Sequence, residues 1–542
     1  MQRTTLSVLD FGAAPDGRDC TAALVRAGRA CQRLRGVTLV IPPGRYAISP
    51  ARGSETWTAI SNHDNQTPRR VALHLVGCHD LHVEATGAEL VATGHVVPVL
   101  IEGGADVVIT GLTIDWAIAL HGWGEVVGAW NGWMDLRLTG GHPWRIIKER
   151  LCYLVDGAPE EVWGTYGIDP QGMVPALKSG DNCGSAFTLP WVAEALDDGV
   201  VRLHTHLVVP PTAGHWMILR HGLRIAPALA VVGCERITLR DLTVGQAGGM
   251  AVVMQRCTDP WLERVQVVAT QGRPLSANQD ATHFVACRGT VRLHGCRFER
   301  QLDDATNVHG IYQPIVEVLD GRSLVVRLVH GQQRGNITAL PGEQLRIIDR
   351  ASMLDRDLVT VREVHPVNAE FCELVLDAPL PVSATVGQLI ENVDWKPDID
   401  IRGCTIAHNR ARGLLIASGR EVTISDNDFE SPGPAIQLHG DTRYWYEAGA
   451  VGRTRITGNR FRRCGYAQEP RWGTAVITAA PEFESHAGPF HGELLVEGNT
   501  FHDSQLPLVD ARGVGRVVVR GNQVHGSAAT VLHRECGTVL QD

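Results

Sequence analysis

The 542-residue sequence contains no apolar run near the ~20 residues that a bilayer-spanning helix needs. Its thirteen cysteines are scattered singly, with no CxxC pair and no CxxC…HxxxH, which argues against a zinc site. Excess positive charge is also missing. A net charge of −9 argues against nucleic acid or an anionic membrane as partner, and mildly against a polyanionic substrate. The opening MQRTTLSVLDFGA has no signal-peptide apolar core, so the chain reads as cytoplasmic as written, or as secreted after loss of a leader. With 44% hydrophobic and 20% charged residues, the composition is that of a globular protein rather than a disordered one.

What is present is a repeat. Many cysteines sit in one local context (GCHD, GCER, RCTD, ACRG, GCRF, GCTI), which marks them as small buried hydrophobes at a recurrent position. Around them runs a short pattern: an apolar residue, two intervening positions, Gly or Asp, then Cys, Asn or Leu, then any residue, then another apolar residue. Copies end at Leu90, Ile114, Val244, Val267, Phe298, Ile406, Phe429, Phe461, Phe501 and Val524. The steps 90 to 114, 244 to 267, 406 to 429 and 501 to 524 are each 23 or 24 residues. Such a period, with short alternating strands, Gly/Asn corners and no helices between them, predicts a right-handed parallel β-helix, a solenoid. A β-sandwich with chance self-similarity is the rival.

Two intervals break the period, 114 to 244 and 298 to 406, and each holds alternating strands of its own. They predict two inserted β-rich modules, small barrels or sandwiches, emerging on one face of the coil. The expected organisation is an N-terminal cap and first coils (1–114), a first module (115–232), coils carrying the acidic cluster (233–310), a second module (311–394) and C-terminal coils (395–542). A helix expected from Cys20 to Leu34 would cap the open end of the coil. The last coil is covered either by the tail or by a second copy in a homo-oligomer. The stretch 8–48, with its FGA-x-x-DG…IPPG-x-Y frame, resembles the start of pectin-degrading and related carbohydrate-active β-helix enzymes.

The chemistry concentrates in two nearly identical stretches, NQDATHF (278–284) and QLDDATNVHG (301–310). Asp280 lies one period before Asp303 and Asp304, so the coil brings the three carboxylates next to one another; the 31-residue step from 267 to 298 fixes adjacency, with the register open by several residues. Grouped carboxylates repel, and at least one pKa should rise. A pair of them in a cleft is what glycoside hydrolysis requires: one protonates the leaving oxygen while another activates water or attacks. A turn-capping role for each aspartate, or a calcium site made by all three, are the plainer readings.

Asn307 and His309 flank the cluster and are expected to bind substrate. Trp395, where the chain re-enters the coil, is expected to stack on a sugar face, against packing over the junction. Arg410 and Arg412, one or two coils beyond the aspartates, are candidates to grip hydroxyls and tune the carboxylates. In RYWYEAG, Tyr444, Trp445, Tyr446 and Glu447 are candidates for a sugar subsite. His63, with Asp64, is placed at the cleft from an earlier coil. His439 is read as a structural corner residue.

The triplets NQD, LDD and VHG resemble polygalacturonase motifs, but the Arg-x-Lys that holds a uronate in those enzymes is missing where the second insertion stands. A closer resemblance spans almost the whole chain. Through ISNHDN (60–65), DATHF (280–284), LDDATNVHG (302–310), ENVDWKPDIDI (391–401), NRARGLLI (409–416) and PGPAIQLHGDTRYWYEAG (432–449), the sequence resembles glycoside hydrolase family 110. These are bacterial α-1,3-galactosidases acting on blood-group-B and linear α-galactosyl epitopes. The resemblance implies an exo-acting, inverting, metal-independent enzyme without cofactor, with active-site aspartates at Asp280, Asp303 and Asp304 and a glycan as partner. A polygalacturonase-like hydrolase and a non-catalytic glycan-binding β-helix are the alternatives.

Overall fold

The computed structural model describes residues 3–542 apart from 66, 179–180, 185–190, 223, 468–471 and 528. Three long sheets run side by side through these residues. One begins at Thr4–Ser7 and ends at Thr538–Gln541, the second runs from Asp16–Asp19 to Gln523–His525, and the third ends at Val531–Arg534. Each coil contributes one strand to each sheet, and neighbouring coils pair in parallel. The fold is a parallel β-helix.

The ten apolar residues that end the repeats form one continuous column. Leu90 pairs with Ile114, Ile114 with Val244, and the series runs on through Val267, Phe298, Ile406, Phe429, Phe461 and Phe501 to Val524. Both interruptions of the period therefore close up in space. Phe429, Phe461 and Phe501 stack with centroids 5.1 and 4.7 Å apart. At the corner beside them, Asn427, Asn459, Asn499 and Asn522 form a ladder: the amide oxygens of the last three each accept from the preceding asparagine's backbone and side-chain N–H, and that of Asn427 accepts from the Cys404 N–H. The ladder satisfies corner groups that burial would otherwise leave unpaired. Every cysteine is a free thiol, and all but Cys536 are buried.

The N-terminal helix spans Thr21–Cys31, ending three residues before the expected Leu34. Ala23, Leu24, Ala27, Gly28 and Cys31 form its buried face. It lies across Arg69–Val76 so closely that a Cβ on Gly28 would stand 2.5 Å from the His74 carbonyl oxygen. Only glycine permits that approach.

The first insertion forms an antiparallel sheet with strands from Gly122–Trp130 to Trp216–His221. The second closes into a six-stranded barrel from Gln313–Val318 to Leu389–Asn392. Each has its own apolar core, separate from the one that follows the coil axis.

Candidate active site

The twin DAT stretches are one corner of the coil on successive turns. Thr282–Val285 pairs with Thr306–Ile311, Thr282 opposite Thr306, and the two threonine hydroxyls bond at 2.8 Å. The Ala281 N–H donates to the Asp304 carbonyl at 3.1 Å. The 24-residue register therefore stacks Asp280 on Asp304, with Asp303 beside them. The next coil pairs Thr306 with Leu414, which continues the column from Asp304 to Arg412. One oxygen from each aspartate lies within 4.8 Å of the others. Asp280 is 3% and Asp304 2% exposed, while the Asp303 side chain keeps 15% of its surface.

Arginines surround the cluster. Arg412 donates to Asp304 through its backbone N–H and its guanidinium, both at 2.9 Å. Arg410 reaches Asp303 at 3.1 Å and grips Asp181 with two bonds of 2.6 Å. Arg224 donates to the other Asp303 oxygen at 3.2 Å. Burial pushes the Asp280 carboxyl well above the usual carboxylate range, and the Asp303 charge adds to it. Burial likewise lifts Asp304, opposed by Arg412 but reinforced by the other two aspartates. Burial acts against ionising Asp303 too, yet Arg410, Arg224, Arg412 and Arg220 outweigh it and hold that carboxyl below its ordinary value. The site thus sets one carboxyl that favours ionisation beside two that resist it.

Behind Asp280 runs a chain of imidazoles. Asp280 Oδ2 lies 2.6 Å from His283 Nδ1, and His283 Nε2 lies 2.9 Å from His309 Nε2. His309 Nδ1 meets the Gly310 carbonyl oxygen at 2.6 Å. On the far side, Asn307 donates to Glu447 at 3.1 Å. Glu447 arrives on a short strand paired antiparallel to Gly310–Ile311. The aromatic loop before it is shaped by Asp441, whose carboxylate accepts the backbone N–H groups of Arg443, Tyr444, Trp445 and Tyr446.

These groups enclose a cleft of about 370 Å³. Of the expected residues, Asp280, Asp303, Asp304, Asn307, Arg410, Arg412, Tyr444, Trp445 and Glu447 line it. Tyr446, buried with its hydroxyl accepting from Arg350 at 3.2 Å, and Asp64 do not line it, and four further expectations need correction. Trp395 is buried elsewhere: its indole N–H donates to Glu343 at 2.6 Å and its ring lies between Arg256 and Arg288 at 4.2 and 4.4 Å. His63 is fully buried, donating to the Ser61 carbonyl and accepting from the Met250 N–H, and its neighbour Asn62 faces the cleft instead. His309 stands behind the wall and acts on His283, which does face the cleft. His439, read as structural, lines the cleft.

Sequence reasoning missed Asp181, Arg220 and Arg224 from the first insertion, and Trp472 and Glu482 from later coils. No local pattern marks them, since Arg224 meets Asp303 across 79 residues and Asp181 meets Arg410 across 229.

Residues 323–390, within the second insertion, match the family model described as GLAA-B beta-barrel domain II. The alpha-1,3-galactosidase A of Shewanella woodyi is 29% identical over 504 residues, covering 92% of this chain and 82% of that protein. The alpha-1,3-galactosidase B of Bacteroides thetaiotaomicron is 28% identical over 528 residues, covering 95% and 85%. The chain is a homologue of the α-1,3-galactosidases. The resemblance read from the sequence is borne out, and the similarity to the α-1,3-galactosidases takes in both insertions as well as the coil.

Proposed function

We propose that the chain is a glycosidase that removes a terminal, non-reducing α-1,3-linked galactose from a glycan with inversion at the anomeric carbon. The observation that carries this reading is the buried aspartate trio, differentiated in charge by its arginines, in a cleft sized for one sugar ring. Hydrolysis needs a carboxyl that gives a proton to the departing oxygen and a carboxylate that takes one from water. Asp280 and Asp303 meet those two charge requirements in the free site. The homologues' names supply the sugar and linkage.

One oxygen of each aspartate lies within 4.8 Å of the others, so spacing excludes no pair, and on charge Asp303 is the base with Asp280 or Asp304 as the acid. The trio's nearest oxygens are closer than the ~6.5–9.5 Å usual between inverting carboxylates. Inversion therefore rests on the family resemblance, and its test is the anomer first released.

A polygalacturonase-like activity would need a cation to meet a uronate. Arg224, Arg410 and Arg412 are each engaged by an aspartate of the cluster or its rim, which favours a neutral sugar. The direct test is galactose release from Galα1,3Gal compared with release of reducing ends from polygalacturonate. Turnover of the first alone supports the proposal; turnover of the second alone defeats it.

A further inference from the structure

A second cavity, of about 850 Å³, adjoins the carboxylate cleft. Arg220, Arg224, Tyr444 and Trp445 border both spaces. Three parts of the chain build the larger one: the first inserted sheet supplies Trp163, the coil supplies Gln279 and Leu302, and the second module supplies His330. Its aromatic rings are held in place. The Trp163 indole N–H donates to the Gly222 carbonyl at 2.9 Å, and the Arg220 guanidinium lies 4.2 Å from the Trp163 ring centre. Trp445 packs on His330 with centroids 4.2 Å apart, and Tyr444 stands edge-on to Trp445 at 5.2 Å, 67% exposed.

Rigid aromatic faces beside a polar cleft suit the C–H faces of sugar rings. The volume lies near the top of the ~300–1,000 Å³ range of small-molecule sites, enough for more than one ring. Charge narrows the choice further. Glu160 and Glu161 line this space, and Arg224 at its edge is already paired with Asp303, so a uronate chain would meet carboxylates.

We propose that this cavity binds the part of the glycan beyond the scissile bond, the penultimate neutral sugar and its neighbour, stacked on Trp163 and the Tyr444–Trp445 pair. The assignment rests on the galactosidase reading for which end of the glycan enters. Another cavity, which shares Gln437, His439, Trp472 and Glu482 with the cleft and is bordered by Arg443, Arg512 and Arg534, offers a more cationic wall and is the competing location.

The test uses the leaving part alone, so that it does not depend on turnover. Lactosamine, a neutral β-1,4-linked disaccharide, is titrated by calorimetry into the wild-type chain and into Trp163→Ala, Trp163→Phe and Arg512→Ala. The proposal expects binding to wild type, about tenfold weakening in Trp163→Ala, and most of the affinity kept in Trp163→Phe. Thermal melting checks that each variant is folded. Equal binding by wild type and folded Trp163→Ala, or weakening confined to Arg512→Ala, overturns the assignment. Failure of the wild type to hydrolyse Galα1,3Gal sinks the catalytic reading instead, and the lactosamine result then judges the cavity on its own.

Discussion

His283 and His309 meet nitrogen to nitrogen, Nε2 to Nε2 at 2.9 Å, and that contact locates a proton on Asp280. A carbonyl oxygen only accepts, so His309 Nδ1 carries the hydrogen that Gly310 receives. Burial drives the pKa of both imidazoles down to about 4, so both are neutral at neutral pH. His309 Nε2 is then an acceptor, His283 Nε2–H is its donor, and His283 Nδ1 must accept. The hydrogen between it and Asp280 belongs to the carboxyl. This agrees with the upward shift that burial gives Asp280.

Asn can imitate a protonated aspartate toward His283, so Asp280→Asn should keep the fold while losing activity. The pKa of Asp280 in the folded state lies above its unfolded value near ~3.9, so its contribution to stability is full below about pH 4 and lost as pH rises through the folded value. The variant should therefore gain melting temperature relative to wild type as pH increases from about 4 to 7. Its kcat should fall by about 10²–10⁴. Melting curves across that range check the first expectation; a difference from wild type that stays flat or falls between those pH values contradicts the proton placement.

Arg410 is buried between Asp181 and Asp303. Arg410→Met strands Asp181 and leaves Asp303 with Arg224 alone, and should cost about 3–5 kcal/mol, read by chemical denaturation. Arg410→Lys keeps the charge but not the two-bond grip on Asp181, and should recover part of the stability with reduced kcat.

Trp395 and Trp445 should separate cleanly. Trp395→Ala should destabilise by about 3–5 kcal/mol and leave kcat/KM on Galα1,3Gal within about twofold, since the ring packs among Glu343, Arg256 and Arg288. Trp445→Ala should lower kcat/KM about tenfold with little change in melting temperature, because the ring lines both cavities. Unfolding and kinetics measured on the same preparations decide both.

The coil was legible because a parallel solenoid writes its stacking into the sequence: residues from Leu90 to Val524, picked by pattern alone, form one column. The DAT repeat exposed the cluster for the same reason. What stayed hidden depends on side-chain direction or on distant chain. Asn62 and His63 are adjacent, and a one-residue difference decides which faces the cleft. Trp395 looked available at its junction, but its partner Glu343 lies 52 residues earlier on the barrel. Arg224 and Asp181 reach the cluster only because the first insertion folds back over the coil.

The most direct measurement is proton NMR of the purified chain with Galα1,3Gal, followed from the first minutes without added metal. The account predicts free galactose appearing first as the β-anomer, with the α-anomer growing only by mutarotation. Galactose released first as the α-anomer would contradict inversion at this aspartate cluster, and no release at all would contradict the galactosidase reading itself.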